Sequence, residues 1–217
     1  LDANTTADNN TAVGADSLCA NTTGANNAAV GKGSMGSNTT GSDNTAMGVE
    51  ALVTATTAAS NAAFGRQAMC KTTTGANNTA MGAFALCANT TASNNTAVGK
   101  DSLKTNTTGT ENTAVGANSQ DSTTTGNYNS SFGFCSLQTN TTGGYNTALG
   151  YKTLFLNNGS LNTAVGWSAL LCNTSGANNV AVGTNSSEKN TTGTHNTAIG
   201  FQALNKNTTG CFNQAVG

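Results

Sequence analysis

Asn10-Thr11-Ala12-Val13-Gly14 decides the fold, because the chain writes this stretch thirteen times with small changes. The glycines that close it run from Gly14, Gly31 and Gly48 to Gly200 and Gly217, 17 residues apart except for the 16 between Gly150 and Gly166. A short unit copied end to end is the signature of a repeat architecture, in which each copy buries its core only against its neighbours.

The columns of the repeat separate fixed positions from variable ones. Four residues before each closing glycine stands an asparagine in every copy: Asn10, Asn27, Asn44, Asn61, Asn78, Asn95, Asn112, Asn129, Asn146, Asn162, Asn179, Asn196 and Asn213. Two before it stands Ala, with Ser131 as the one exception, and directly before it an apolar residue from Val13 to Val216. Four after it comes a second apolar column, Leu18, Met35, Leu52 and so on, which lapses at Gln120 and Ser187.

Seventeen residues are too few for a pair of helices and fit one coil of an all-β, parallel β-solenoid or β-roll, here of about thirteen coils in a single array over residues 1–217. Thr11-Ala12-Val13 reads as a short strand with Thr11 and Val13 on one face and Ala12 on the other. Gly14 permits a turn with positive φ. Ser17-Leu18 reads as a second short strand and Asn21-Thr22-Thr23-Gly24 as a second turn. Coils stacked ~4.8 Å apart would align the thirteen asparagines into a ladder of amide hydrogen bonds.

Leu, Ile, Val and Phe together make up about one residue in seven, below the usual floor for a globular chain. Disorder would also need high net charge, and here it is −1. Order therefore has to come from stacking. Eight scattered Lys and Arg give no electrostatic basis for binding nucleic acid. No apolar run approaches the ~20 residues of a membrane span. The chain opens on Leu1 and starts and stops inside the repeat, which reads as a segment of a longer fibre.

Nothing in the repeat forms a catalytic cluster, so no enzymatic activity, metal or cofactor is expected. The single histidine, His195, occupies a variable position, and the acids Asp16, Glu50, Asp101 and Glu188 sit in separate copies. Cys70 and Cys87 share one column of adjacent copies, within the reach of a disulfide. Fifteen Asn-x-Ser/Thr sequons are present, and those of the second turn, Asn21, Asn38, Asn89, Asn106, Asn140, Asn173, Asn190 and Asn207, would form a line of glycosylation sites on a secreted chain. Aromatics concentrate late. Phe134, Tyr151, Trp167 and Phe201 follow the glycine directly, and Tyr128, Tyr145 and Phe212 share the register of His195. Such a stripe suits packing against other chains or recognition of glycans or a receptor. Thr columns such as Thr22, Thr39, Thr90 and Thr107 raise ice binding as a further alternative, weakened because Thr22 and Thr23 point apart.

The alternation of Asn-Thr-Ala-Val-Gly and Asn-Thr-Thr-Gly resembles the repeats of tail-fibre-type proteins that end in an endosialidase-like chaperone domain. More distantly it is similar to the Asn-x-Val-Ala-Ile-Gly repeats in the heads of trimeric autotransporter adhesins, left-handed parallel β-rolls that assemble as trimers. The resemblance implies a non-enzymatic, structural and adhesive fibre outside a cell or on a virion, which self-associates as a homotrimer or end to end. It carries over no functional residue.

Overall fold

The computed structural model describes all residues, 1–217, and contains strands and turns but no helix. Thirteen three-residue parallel strands, β1 (Thr11–Val13) through β13 (Gln214–Val216), fall on the thirteen pentapeptides and make a β-solenoid. The coils group into two units, Leu1–Glu111 and Asn112–Gly217. In the first, β1 to β6 (Thr96–Val98) pair in chain order; in the second, β7 (Thr113–Val115) to β13 do the same. Register is column on column, Thr11 beside Ala28, Ala12 beside Ala29 and Val13 beside Val30.

The strand alternation sends the Ala column inward and the flanking columns outward. Ala29, Ala46, Ala63, Ala114 and Ala164 are fully buried, whereas Val13 is 56% exposed. Opposite the alanines lie Leu18, Met35, Leu52, Leu137 and Leu154, also fully buried. Pairing a small residue with a large one across each coil makes a thin core, and this explains how so few aliphatic side chains suffice.

No second strand forms at Ser17-Leu18. Residues 15–20 are a run of turns, and Asp16 and Leu18 adopt left-handed φ values of 59° and 48°. The whole Leu18 column shares this conformation, from Met35 (51°) to Leu204 (50°). Left-handed backbone penalises β-branched side chains most, and the column holds Leu, Met, Gln and Ser but never Val, Ile or Thr. The turns close locally, with Ser17 N–H donating to Gly14 O at 3.3 Å, and also bond coil to coil, with Leu18 N–H donating to Ser34 O at 3.1 Å.

Gly14 has φ +124°, and a Cβ there would lie 2.7 Å from the carbonyl carbon of Gly31 in the next coil. The same holds at Gly31 against Gly48, so each glycine is required by the one stacked on it.

Two lapses in the columns turn out to be one feature. Gln120, in the Leu column, donates from Nε2 to Ser131 Oγ at 2.8 Å and to Thr113 O at 2.9 Å. Ser131 is the one residue that replaces Ala in its column, and it also meets Ser119 Oγ at 2.6 Å. A buried amide needs partners, and the paired change supplies one for Nε2, while Oε1 is left without one.

Candidate functional site

Most coils close on two asparagines rather than one; the inner column holds Ala55, Thr72 and Thr123 instead in three of them. Asn27 donates from Nδ2 to Gly41 O at 2.8 Å, and its Oδ1 accepts the N–H of Asn44 at 3.0 Å in the coil above. Asn44 repeats the pattern toward Ala58 O and Asn61 N–H. In the second unit Asn129, Asn146, Asn162 and Asn179 do likewise. This ladder satisfies backbone groups at the coil's tight corner, where an orphaned carbonyl or amide would cost ~1–3 kcal/mol.

The asparagines of the second turn form a parallel, inner ladder, which corrects their reading as surface acceptors of sugar. Asn21, Asn38, Asn89, Asn106, Asn140, Asn173 and Asn190 are buried, and Asn207 is half-buried. Nδ2, the atom a glycan would occupy, donates to Gly24 O from Asn21 at 2.9 Å and to Asn21 Oδ1 from Asn38 at 2.7 Å. A folded coil has no room for a sugar there. A turn sequence does not disclose which of its side chains faces inward; here, of the turn's columns, the Thr23 column is the one exposed in every copy. The exposed sequon asparagines are instead Asn4, Asn9, Asn77, Asn94 and Asn158.

The Thr22 column is likewise committed to the fold. Thr22 Oγ1 donates to Thr39 O at 3.0 Å, and Thr39 Oγ1 to Thr56 O at 3.0 Å. Those hydroxyls bind the next coil and do not present a free donor array.

Cys70 and Cys87 are joined by a disulfide across adjacent coils, with Cα atoms 4.9 Å apart. Of the four free thiols, Cys211 is exposed and accepts from the Thr194 N–H at 3.3 Å and hydroxyl at 3.4 Å. Those bonds hold its thiol below the usual range, whereas burial pushes the Cys135 thiol up. No three His, Cys, Asp or Glu side chains converge on a point that would suit a metal ion.

The late aromatics form two ladders rather than one stripe, at the two margins of the outward strand face. On one margin Tyr128 and Tyr145 stack with ring centroids 4.8 Å apart, as do His195 and Phe212. On the other Phe134 stacks on Tyr151 at 5.7 Å, and Tyr151 on Trp167 at 6.3 Å. Phe201 stands in the same column, 68% exposed. Interplanar angles of 12–18° mean that the rings face one another along the coil axis and offer their edges outward.

Between these margins run the outward Thr and Val columns. In the second unit the columns three before, one before and one after the glycine contain no charged residue, from Thr113, Val115 and Ala117 to Gln214 and Val216. Phe132, Leu149 and Ile199 are each more than two-fifths exposed within it. The matching face of the first unit carries Lys32, Arg66 and Lys100. The strand itself dictates outward residues but not apolar ones. The alternation of the strand leaves open which of its two faces is outward, and the structure turns the Val13 type out and the Ala12 type in.

No family model, curated protein or solved structure matches the chain. No helix is long and apolar enough to cross a membrane.

Proposed function

We propose that the chain is a non-enzymatic structural fibre segment that self-associates through the outward face of its strands. The observation that carries this is the outward face of the second unit, uncharged in its three columns, apolar throughout in the column before the glycine, and flanked by stacked aromatics. Seven strands spaced ~4.8 Å apart and about six residues wide at ~3.3 Å per residue give a face of roughly 670 Å². That approaches the ~800 Å² per partner of a stable interface. The occupant is another copy of the chain, in a trimer of the adhesin type or a laterally bundled filament. The Cys70 to Cys87 disulfide fits an oxidising setting outside a cell or on a virion surface.

Recognition of glycans or a receptor is the alternative. Sugar rings pack on the faces of aromatic rings, and half of those faces are taken up by a neighbouring ring, both of them at Tyr151. The edges that remain suit contact with apolar side chains.

Sedimentation velocity over a range of concentrations, on the chain and on Leu149→Glu with Ile199→Glu, tests the reading. Association of the native chain, lost in the double variant with the circular dichroism unchanged, supports it. A native chain that stays monomeric at about 100 μM, well above the ~1 μM range of a moderate interface, refutes it.

A further inference from the structure

The one coil that is a residue short is mended by a side chain. In a regular coil the second turn runs Asn38-Thr39-Thr40-Gly41, and the carbonyl oxygen of Thr39 accepts the N–H groups of Thr22 and Thr23 at 2.9 and 3.1 Å. In the short coil the turn is Asn157-Asn158-Gly159. There the Oδ1 of Asn158 takes the place of that main-chain carbonyl. It accepts the N–H of Thr141 at 3.1 Å, of Thr142 at 2.9 Å and of Gly143 at 3.4 Å, and the Thr141 and Thr142 hydroxyls at 3.0 and 3.2 Å. Five donors converge on one amide oxygen.

We propose that Asn158-Gly159 is a site of self-modification, at which the folded coil promotes succinimide formation and leaves an isoaspartyl link. Three features meet here. Donors fixed around a carbonyl oxygen stabilise the negative charge that grows on it when its carbon is attacked. The attacking group, the Gly159 nitrogen, follows Asn158 directly in the chain, and its N–H makes no hydrogen bond in the fold. Gly159 carries no side chain to obstruct the approach. Asn158 is also exposed, so water reaches the product.

The step balances with water as the only co-reactant. The Gly159 nitrogen gives up its proton and bonds to Asn158 Cγ, and the charge on Oδ1 rests among the five donors. The Cγ–Nδ2 bond then breaks and ammonia leaves with the proton, closing the five-membered imide. Water next adds to one imide carbonyl. Opening at the α-carbonyl breaks its bond to the Gly159 nitrogen, which leaves the chain running through Cγ and a free α-carboxylate.

The clamp favours that direction. In the isoaspartyl product the oxygen held by Thr141 and Thr142 is a true peptide carbonyl, the group that occupies this place in the other coils. The main chain also gains one carbon in the turn that lacks a residue. Opening at Cγ instead gives aspartate, whose carboxylate stays in the clamp.

The test compares the intact, folded chain with the same chain in urea, incubated at neutral pH in ¹⁸O water and read by mass spectrometry with electron-transfer fragmentation. Expected is faster loss of ammonia at Asn158 in the folded chain, with one ¹⁸O gained and isoaspartate as the major product. Thr142→Val, which removes one exposed hydroxyl and leaves every backbone donor, should slow the folded reaction about tenfold, as loss of one hydrogen bond to a charged oxygen would. A folded chain that reacts no faster than the unfolded one overturns the proposal, whatever the product. So does a Thr142→Val chain, folded by circular dichroism, that reacts at the native rate.

Discussion

Asn61 offers the sharpest test of the buried ladder, because replacing it by Ala and by Asp should fail in different ways. Its Nδ2 donates to Gly75 O at 2.9 Å, Ala59 O at 3.1 Å and Asn44 Oδ1 at 3.2 Å. Its Oδ1 accepts the Asn78 N–H at 2.9 Å. Asn61→Ala leaves Gly75 O and the Asn78 N–H without partners, at ~1–3 kcal/mol each, so the local loss is about 2–6 kcal/mol. Asn61→Asp keeps an acceptor for Asn78 but turns an oxygen toward three oxygens, and the site is 2% exposed. Burial and those carbonyls disfavour the charged form, so the folded carboxyl titrates above its unfolded value. The sign follows from linkage. The aspartate variant is most stable below the unfolded carboxyl value of about 3.9 and loses stability as pH rises through the folded value. Protonated, it has one O–H to give to Gly75 O. The assay is amide exchange at Asn78, expressed as protection relative to the unstructured rate, because coils of a repeat protein open locally. Protection in the aspartate variant should be near native at pH 3.5 and collapse by pH 7, while the alanine variant is equally poor at both. An aspartate variant indifferent to pH, or an alanine variant within about 0.5 kcal/mol of the native chain, the usual range of an inert surface change, refutes the reasoning.

Three further outcomes follow from particular side chains. The inner ladder breaks at Ala55, which leaves Asn38 Oδ1 buried without a partner, so Ala55→Asn should restore the bond and raise the urea midpoint by about 1 kcal/mol of stability. Burial raises the carboxyl of Asp101, but its contacts with Lys100 and with Lys104 at 3.1 Å lower it further, for a net fall. Its contribution is therefore present above the unfolded carboxyl range and lost as pH falls through the folded one, and Asp101→Asn should remove that acid-sensitive part of exchange at residues 99–104. Pulse alkylation of the folded chain, read by peptide mass spectrometry, should mark Cys211 first and Cys135 last, since one thiol is exposed and held low and the other buried and held high.

The coil period, the strand and the outer asparagine ladder were legible because stacking forces one residue type into one place thirteen times over. The Ser17-Leu18 strand was misread because an alternation of polar and apolar over two residues is also what a pair of left-handed turns displays. The distinguishing signal was in the column itself, which excludes the Val, Ile and Thr that a strand would favour. The direction of Asn21 was not legible, since Asn suits both an exposed turn and an inward cap. Nor was the role of Asn158, because a deletion shows only which residue is missing and not which side chain stands in for its carbonyl.

Repetition alone does not mark function in such a chain, because most fixed columns are fixed by the coil. Asn10 caps the corner, Ala29 fits the thin core, Gly14 stacks on Gly31, and Leu18 fills the space opposite Ala. The column just before the glycine is different. It is apolar in all thirteen copies and yet lies outside, where a Thr or Ser would satisfy the same strand. The coil gains little from an exposed Val, Phe or Leu, and exposure of that kind costs solubility. On the proposed reading, the apolar column that the fold does not need is the one a second copy of the chain covers. In the second unit, where the neighbouring column also turns aromatic and sheds every charge, the covering surface is expected to bind most tightly.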